Sequence, residues 1–163
     1  MFESLHPDLH IPGVFDLDYD GLRKRGVRGL VIDLDNTLVP RRSNEAPEAI
    51  VSWVSALKAR GFSAVIVSNN WSNRVKKLAD LVDLPLVAPA IKPRRRAFRK
   101  ALEILGTDAE ETAVIGDQIF TDIYGGKRMN LFTILVNPVG NDEMFHTRVL
   151  RRIERIILRK LRL

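Results

Sequence analysis

Two aspartates with a spacing of two, Asp33 and Asp35, directly follow the apolar run Gly29–Ile32. In an extended chain, residues i and i+2 point to the same side, so both carboxylates leave the end of such a strand together. Neighbouring carboxylates can divide the work of a reaction, since one can attack as a nucleophile while the other transfers protons.

Other polar side chains follow later apolar runs in the same way. They are Ser68 with Asn69, Lys92, and Asp117 with Asp122. Carboxylate oxygens are the preferred ligands of Mg²⁺, which keeps water and substrate phosphate oxygens in its remaining positions. Lysine and hydroxyl groups can bind the other phosphoryl oxygens. This set of side chains therefore favours phosphoryl transfer.

The elements that must position these side chains alternate along the chain. Strands are predicted near residues 29–32, 62–67, 86–87, 112–115 and 132–136, and helices near 47–60, 72–81, 93–105 and 121–129. Short apolar strands that alternate with helices indicate a parallel sheet covered on both faces. Ligands of such sheets bind beyond the carboxyl ends of the strands. We therefore expect a three-layer α/β fold with its site at that edge.

The length and composition are those of one globular domain. The chain has 163 residues, 45% of them hydrophobic and 28% charged, and no cysteine. These values exclude a disordered or collagen-like chain, a disulfide scaffold and a zinc–thiolate site. No apolar run approaches the length of a membrane span, and the first residues do not resemble a secretory signal. We expect the protein to lie in the cytoplasm and to make a peripheral contact with the membrane if its basic segment binds lipid.

The net charge of +6 resides in residues 148–163, which carry seven basic residues and one acid, whereas residues 1–147 are neutral overall. Residues 1–147 are predicted to form the catalytic domain, with 1–27 as a lead-in. Residues 148–163 combine this charge with apolar residues at helical spacing, which predicts a basic amphipathic helix. That helix would either pack on the domain or lie on an anionic membrane. The charge pattern gives no firm sign of nucleic-acid binding.

Four segments resemble the motifs of the haloacid dehalogenase-like (HAD) phosphohydrolases, in the family's order. They are Leu30 to Leu38, Ser68, Lys92, and Gly116 to Asp122. Each follows a predicted strand, and that context makes the combination far more specific than an isolated Asp-Xaa-Asp pair. The resemblance implies a Rossmann-like HAD fold, Mg²⁺ as cofactor and a phosphatase activity.

The resemblance also implies roles for individual residues. Asp33 would attack phosphorus and form an aspartyl-phosphate. Asp35 would protonate the leaving oxygen and then activate the hydrolytic water. The metal ligands would be the carboxylates of Asp33 and Asp117 and the main-chain carbonyl of Asp35.

The phosphoryl oxygens would be held by Ser68, Asn69 and Lys92. Thr37 and Asp122 would support the site, with Asp122 orienting Lys92 or a metal-bound water. Such a site works by positioning and by neutralising charge.

Caps over HAD sites are inserted between the first and second motifs or between the second and third. Here 32 residues separate Asp35 from Ser68, and 23 separate Ser68 from Lys92. One helix and one strand account for each interval, so we expect no cap domain and an open site. An open site suits a large substrate or one presented on a surface.

Within the superfamily, the chain resembles the YqeG-like branch of subfamily IIIA, which is related to the phosphatidylglycerophosphate phosphatases. The residues that carry this resemblance are Asp33 to Leu38, Ser68 to Asn70, Gly116 to Gln118, Thr121 with Asp122, Gly125 with Gly126, and residues 133–136. The branch implies phosphatidylglycerophosphate as substrate. Two alternatives remain: a phosphatase of a soluble sugar phosphate or nucleotide, and a non-catalytic protein that binds a partner or RNA.

Three further residues near the motifs invite a role in binding. Arg41 and Arg94 are candidates for gripping a second phosphate, the alternative being a solvated surface. Trp71 either contacts substrate at the rim of the site or packs at the start of a helix. Gly125 and Gly126 are expected to permit close packing of a helix on the sheet.

Overall fold

The structure is a computed structural model that describes residues 3–139. Within that range six strands form one sheet: β1 (Leu9–Ile11), β2 (Gly29–Ile32), β3 (Ser63–Val67), β4 (Leu86–Val87), β5 (Thr112–Gly116) and β6 (Phe132–Val136). Their order is β1-β6-β5-β2-β3-β4, and every neighbouring pair is parallel. The carboxyl ends of all these strands therefore meet at one edge of the sheet.

Five α-helices connect the strands in the described part of the chain. They are α1 (Tyr19–Lys24), α2 (Glu48–Ala59), α3 (Asn73–Leu81), α4 (Arg95–Leu105) and α5 (Tyr124–Lys127), and a single π-helical turn, Ile119–Ile123, precedes α5. Each long helix has a buried apolar face, and α4 ends at Gly106 in the left-handed conformation that favours glycine.

The sheet has an apolar core on each face. In β2 all four residues are buried, and Leu30 and Ile32 join one core whereas Val31 joins the other. The first core includes residues of α1, α2 and α3, and the second includes residues of α4. This arrangement confirms the predicted three-layer α/β sandwich.

The predicted strands and long helices are confirmed to within two residues at their ends. Only α2 lies between β2 and β3, and only α3 lies between β3 and β4, so no cap domain is inserted there. The close packing of a helix on the sheet is confirmed for Gly126, since an added Cβ would lie 2.4 Å from the Val114 side chain of β5. An added Cβ at Gly125 would instead lie 2.6 Å from the Phe98 ring, so this glycine lets α5 approach α4.

The lead-in is more ordered than the sequence indicated, because it supplies β1 and α1. Strand β1 joins the sheet through Asp8, whose side chain accepts hydrogen bonds from the Thr133 main chain and hydroxyl at 2.8 Å each. The Lys127 ammonium donates to the other carboxylate oxygen at 2.5 Å. Partial burial raises the pKa of Asp8, but these donors outweigh it and leave the pKa below its ordinary value.

The predicted basic helix 148–163 lies outside the described residues. Among residues 3–139, no helix is both long and apolar enough to cross a bilayer.

Candidate active site

The loop after β2 is folded back on itself and holds its two aspartates in fixed positions. The Asp33 N–H donates to the Ile115 carbonyl at 2.9 Å, which continues the hydrogen-bond ladder between β2 and β5. Asn36 has a φ of 65° and donates its N–H to Val39 at 2.7 Å. Asparagine adopts this left-handed conformation more readily than most residues do. The tight loop places Asp33 and Asp35 at the carboxyl edge of the sheet, with both residues buried.

Lys92 lies at the centre of a buried charge cluster. Its ammonium donates to Asp33 Oδ1 and to Asp122 Oδ1, both at 2.6 Å. The second oxygen of Asp122 accepts the Gln118 N–H at 3.2 Å. Both oxygens of Asp122 therefore have partners, and its carboxylate orients Lys92.

Asp122 fits against the end of β5 because residue 116 is glycine. A Cβ at Gly116 would lie 2.4 Å from the Asp122 carboxylate, closer than real atoms approach. Asp122 is buried within the π-helical turn Ile119–Ile123, and such turns are frequent at functional sites.

Asp117 completes a group of three buried carboxylates. Single oxygens of Asp33, Asp117 and Asp122 all lie within 4.8 Å of one another. The Thr37 hydroxyl lies 3.3 Å from Asp33 Oδ2 and 3.4 Å from Asp117 Oδ1, so it bridges the first two. The supporting residue and the carboxylates named from the sequence are thus brought together.

The cluster contains more negative than positive charge. Burial raises the pKa of Asp33 to about 8, with Asp122 and Asp117 adding to the effect while Lys92 opposes it. Burial also lowers the pKa of Lys92, but Asp122 and Asp33 outweigh it and the net shift is upward. Hard divalent cations bind carboxylate oxygens, so the carboxylates of Asp33 and Asp117 fit the predicted metal site.

The loop after β3 brings a hydroxyl and two amides beside Lys92. Ser68 is buried, and its Oγ accepts the Asn70 N–H at 3.1 Å. The Asn69 side chain accepts the Lys92 N–H at 2.6 Å and donates to the Lys92 carbonyl at 3.3 Å. Asn69 therefore joins the β3 and β4 loops through the main chain of Lys92.

Asp35 has two partners that the sequence did not indicate. The Arg74 guanidinium pairs with Asp35 Oδ1 and also donates to the Ser43 carbonyl at 2.7 Å. The Asn70 amide donates to Asp35 Oδ2 at 3.3 Å. Arg74 lies 39 residues beyond Asp35, and no spacing rule links the two. The sequence offers one hint of this contact, because Arg74 is a cation in the first turn of the helix that follows the Ser68 loop.

An open cavity of about 430 Å³ lies over these groups. Asp33, Asp35, Ser68 and Lys92 are among the residues that line it, together with Gln118 and Thr121. Arg41 and Trp71 also line it, whereas Arg94 is exposed and is not part of the lining. Trp71 is 77% exposed, so the alternative that it packs at the start of α3 is wrong.

Two family models match parts of the chain. The model of HAD-hydrolase-like proteins matches residues 90–142, and the model of the mitochondrial PGP phosphatases matches residues 3–81. The two matches together include every motif residue of the site.

A comparison with solved structures gives the same fold. The structure of 3-deoxy-D-manno-octulosonate 8-phosphate phosphatase from Moraxella catarrhalis contains a magnesium ion, a phosphate ion and a KDO molecule. It matches with a TM-score of 0.52 and 14% identity over 87% of this chain and 92% of that one. Similarity at this level shows the fold alone.

Two curated relatives align with almost the whole chain. Phosphatidylglycerophosphate phosphatase 1 of Arabidopsis thaliana is 25% identical over 94% of this chain, which spans only 47% of that longer protein. The probable phosphatase YqeG of Bacillus subtilis is 38% identical over 96% of this chain and 91% of its own length. With this identity over nearly the full length of both chains, the protein described here belongs to the YqeG-like family of HAD-type phosphatases.

Proposed function

We propose that this phosphatase hydrolyses phosphomonoesters with Mg²⁺ through an aspartyl-phosphate on Asp33. The observation that carries the proposal is the position of Asp33. This buried carboxylate lies within hydrogen-bonding distance of Lys92, shares a cavity with Asp35 and adjoins Asp117. Nucleophile, proton carrier and phosphate-binding cation thus surround one space.

In the first step a carboxylate oxygen of Asp33 attacks phosphorus in line, and the bond to the leaving oxygen breaks. Asp35 donates a proton to that oxygen, so the alcohol leaves neutral. In the second step Asp35 accepts a proton from water, whose oxygen attacks the phosphorus of the aspartyl-phosphate. Inorganic phosphate leaves and the Asp33 carboxylate is restored.

Lys92 favours the ionised form of Asp33 that attacks phosphorus, against the burial that raises the pKa of this group, and a bound Mg²⁺ would add to that effect. Lys92 donates to Asp33 directly, and its ammonium also offers protons to the incoming phosphoryl oxygens, as does the Ser68 hydroxyl. Mg²⁺ would be held by the carboxylates of Asp33 and Asp117 and by the main-chain carbonyl of Asp35. Its positive charge would balance the negative charge of the carboxylates.

Arg74 and Asn70 act on Asp35 rather than on phosphorus. Each bonds one oxygen of the Asp35 carboxylate, which fixes the plane of that group. The Arg74 bond to the Ser43 carbonyl ties this pair to the segment that follows the Asp33 loop. Arg74 is thus a positioning residue for the proton carrier.

The proposed substrate is phosphatidylglycerophosphate. Support comes from the similarity to the Arabidopsis phosphatase of that name and from the matching family model. The open cavity gives further support, because no cap domain lies between β2 and β4 to restrict a substrate held in a membrane.

The first experiment measures phosphate release from phosphatidylglycerophosphate in mixed micelles, with and without Mg²⁺. Asp33→Asn serves as the blank. Metal-dependent release by the wild type alone is the expected result. Release from soluble sugar phosphates or nucleotides but not from the lipid would instead favour the soluble alternative. The absence of release from every ester would overturn the catalytic proposal and favour a partner-binding protein.

A further inference from the structure

Most of the exposed large apolar side chains lie at the edge of the sheet that carries the site. In residues 3–139 six such side chains are exposed: Phe15, Trp71, Leu81, Ile91, Ile104 and Val139. Four of them follow the carboxyl ends of strands β1, β3, β4 and β6, at the edge that carries the site. Leu81 and Ile104 instead lie near the carboxyl ends of α3 and α4, at the opposite edge.

Trp71 and Ile91 stand on two loops that are bonded to each other. The Ala90 N–H donates to the Ser68 carbonyl at 2.9 Å, and the Asn69 amide spans the main chain of Lys92. Trp71 is 77% exposed and Ile91 is 53% exposed. We call residues 69–72 and 88–94, with these two side chains, the apolar rim.

Ile91 is held outward against its own backbone preference. Its φ is 54°, a left-handed conformation that is unfavourable for a β-branched residue. Such strain persists only where the surroundings impose it, and it tends to occur at functional sites. Here the next residue is Lys92, whose main chain is fixed by Asn69 and whose ammonium serves Asp33.

The segments of the apolar rim contain no acidic residue, since residues 69–72 and 88–94 include no aspartate or glutamate. Arg94 is exposed there, whereas the Lys92 ammonium is buried between Asp33 and Asp122. Arg41 is among the residues that line the cavity. A tryptophan beside arginines suits the boundary of an anionic bilayer, where the ring enters the headgroup layer and the cations meet phosphates.

We infer that the apolar rim docks the protein on an anionic lipid surface, with Trp71 and Ile91 inserted and the cavity facing the membrane. The choice of a lipid occupant rests on the proposed function. Docking in this orientation lets a lipid phosphate reach Lys92 and Asp33 without leaving the headgroup layer.

The test uses the full chain and vesicles of phosphatidylcholine with or without phosphatidylglycerol. The double variant Trp71→Ser, Ile91→Asn removes the rim. The matched control, Leu81→Ser with Ile104→Asn, removes the same number of exposed apolar side chains at the opposite edge. Insertion of two large apolar side chains predicts roughly tenfold or more weaker partitioning of the rim variant onto anionic vesicles, and little change in the control.

A second readout reports orientation. The chain has two tryptophans, and Trp53 is buried in the core. Brominated lipid chains should therefore quench the emission of Trp71 in bound wild type, and Trp71→Ser should abolish that quenching.

Either of two results would overturn the inference: wild type that does not bind anionic vesicles, or wild type that binds without quenching and no more tightly than the rim variant. Hydrolysis of p-nitrophenyl phosphate, which needs no membrane, tests the proposed chemistry separately. Failure of docking and failure of catalysis are thus distinguishable.

Discussion

Asp33 and Asp8 both accept a hydrogen bond from a lysine, yet their pKa values shift in opposite directions. Asp33 bonds Lys92 at 2.6 Å and has its pKa raised to about 8. Asp8 bonds Lys127 at 2.5 Å and has its pKa lowered. The difference lies in the surroundings, because Asp33 shares its lysine with further buried carboxylates, whereas Asp8 has hydrogen-bond donors from Thr133 and partial access to water.

This contrast separates a site from a structural pair. Around Asp8 the charges and hydrogen bonds balance within the protein, so the pair stabilises the join of β1 to β6 and calls for no ligand. Around Asp33 the balance is incomplete, because the pKa of Asp33 stays raised despite Lys92, with burial as the main cause and Asp122 and Asp117 adding to it. A buried surplus of one sign marks where a ligand of the opposite sign belongs.

The largest expected difference is in turnover. Asp33→Asn should lower kcat by at least about 10⁴-fold, because the amide cannot form the covalent intermediate. Asp8→Asn, which changes the other lysine-bonded carboxylate in the same way, should leave kcat within about twofold of the wild type. Steady-state phosphate release measures both. Comparable losses of kcat in the two variants would contradict the distinction between a catalytic carboxylate at Asp33 and a structural one at Asp8.

The next difference is in stability after loss of the lysine. Lys92→Met leaves the buried carboxylates of Asp33 and Asp122 without the ammonium that they share and should cost about 3–5 kcal/mol of the free energy of unfolding in metal-free buffer. Lys127→Met removes a partly exposed pair and should cost about 1 kcal/mol or less. Urea unfolding at pH 7.5 gives both values. Equal losses would show that the Asp33 cluster is already neutralised by other means.

A third difference is in the pH dependence of stability. Because the pKa of Asp33 rises from 3.8 to about 8 on folding, the folded protein keeps a proton that the unfolded chain loses between those values. The free energy of unfolding of the metal-free protein should therefore fall as the pH rises from about 4 to about 8. Asp33→Asn should flatten this dependence, and Mg²⁺ should weaken it by favouring the ionised carboxylate. Parallel profiles of wild type and variant in urea unfolding would contradict the prediction.

The smallest effect concerns Asp8 and has the opposite sign. Its lowered pKa means that it stabilises the fold above the ordinary value of 3.8, and that this contribution is lost as the pH falls through the folded-state pKa. Asp8→Asn should cost about 1 kcal/mol at pH 6, and its deficit relative to wild type should close as the pH falls below the folded-state pKa of Asp8. Thermal unfolding at several acidic pH values measures the gap. A gap that stays constant as the pH falls would assign it to packing rather than charge.

The fold was largely accessible from the sequence because its elements leave strong local signals. The run 29–32 is apolar throughout and ends in an aspartate, and α4 ends at a glycine that the helix needs for its left-handed cap. Strand β1 has no such local signal. It has three residues, and its Leu9 pairs with Ile134, more than 120 residues away in the sequence, so only tertiary pairing defines this strand.

The residues of the site also differ in whether the sequence could predict their positions. Asp33, Asp35 and Asp117 follow predicted strands and could be placed at one edge by topology alone. Arg74 could not, because its meeting with Asp35 depends on how α3 sits over the β2 loop. The exposure of Trp71 was also open, since a tryptophan at the start of a helix is equally compatible with burial.

The outermost strands of the sheet share one more feature. Strand β1 lies between Pro7 and Pro12, and β4 lies between Pro85 and Pro89. Both strands are short, and proline supplies no N–H to an incoming strand, so the described sheet offers little template for pairing with a second molecule. Replacing these prolines would lengthen the exposed edges and favour aggregation of strands between molecules. The prolines that end the described sheet thus also limit edge-to-edge pairing between molecules.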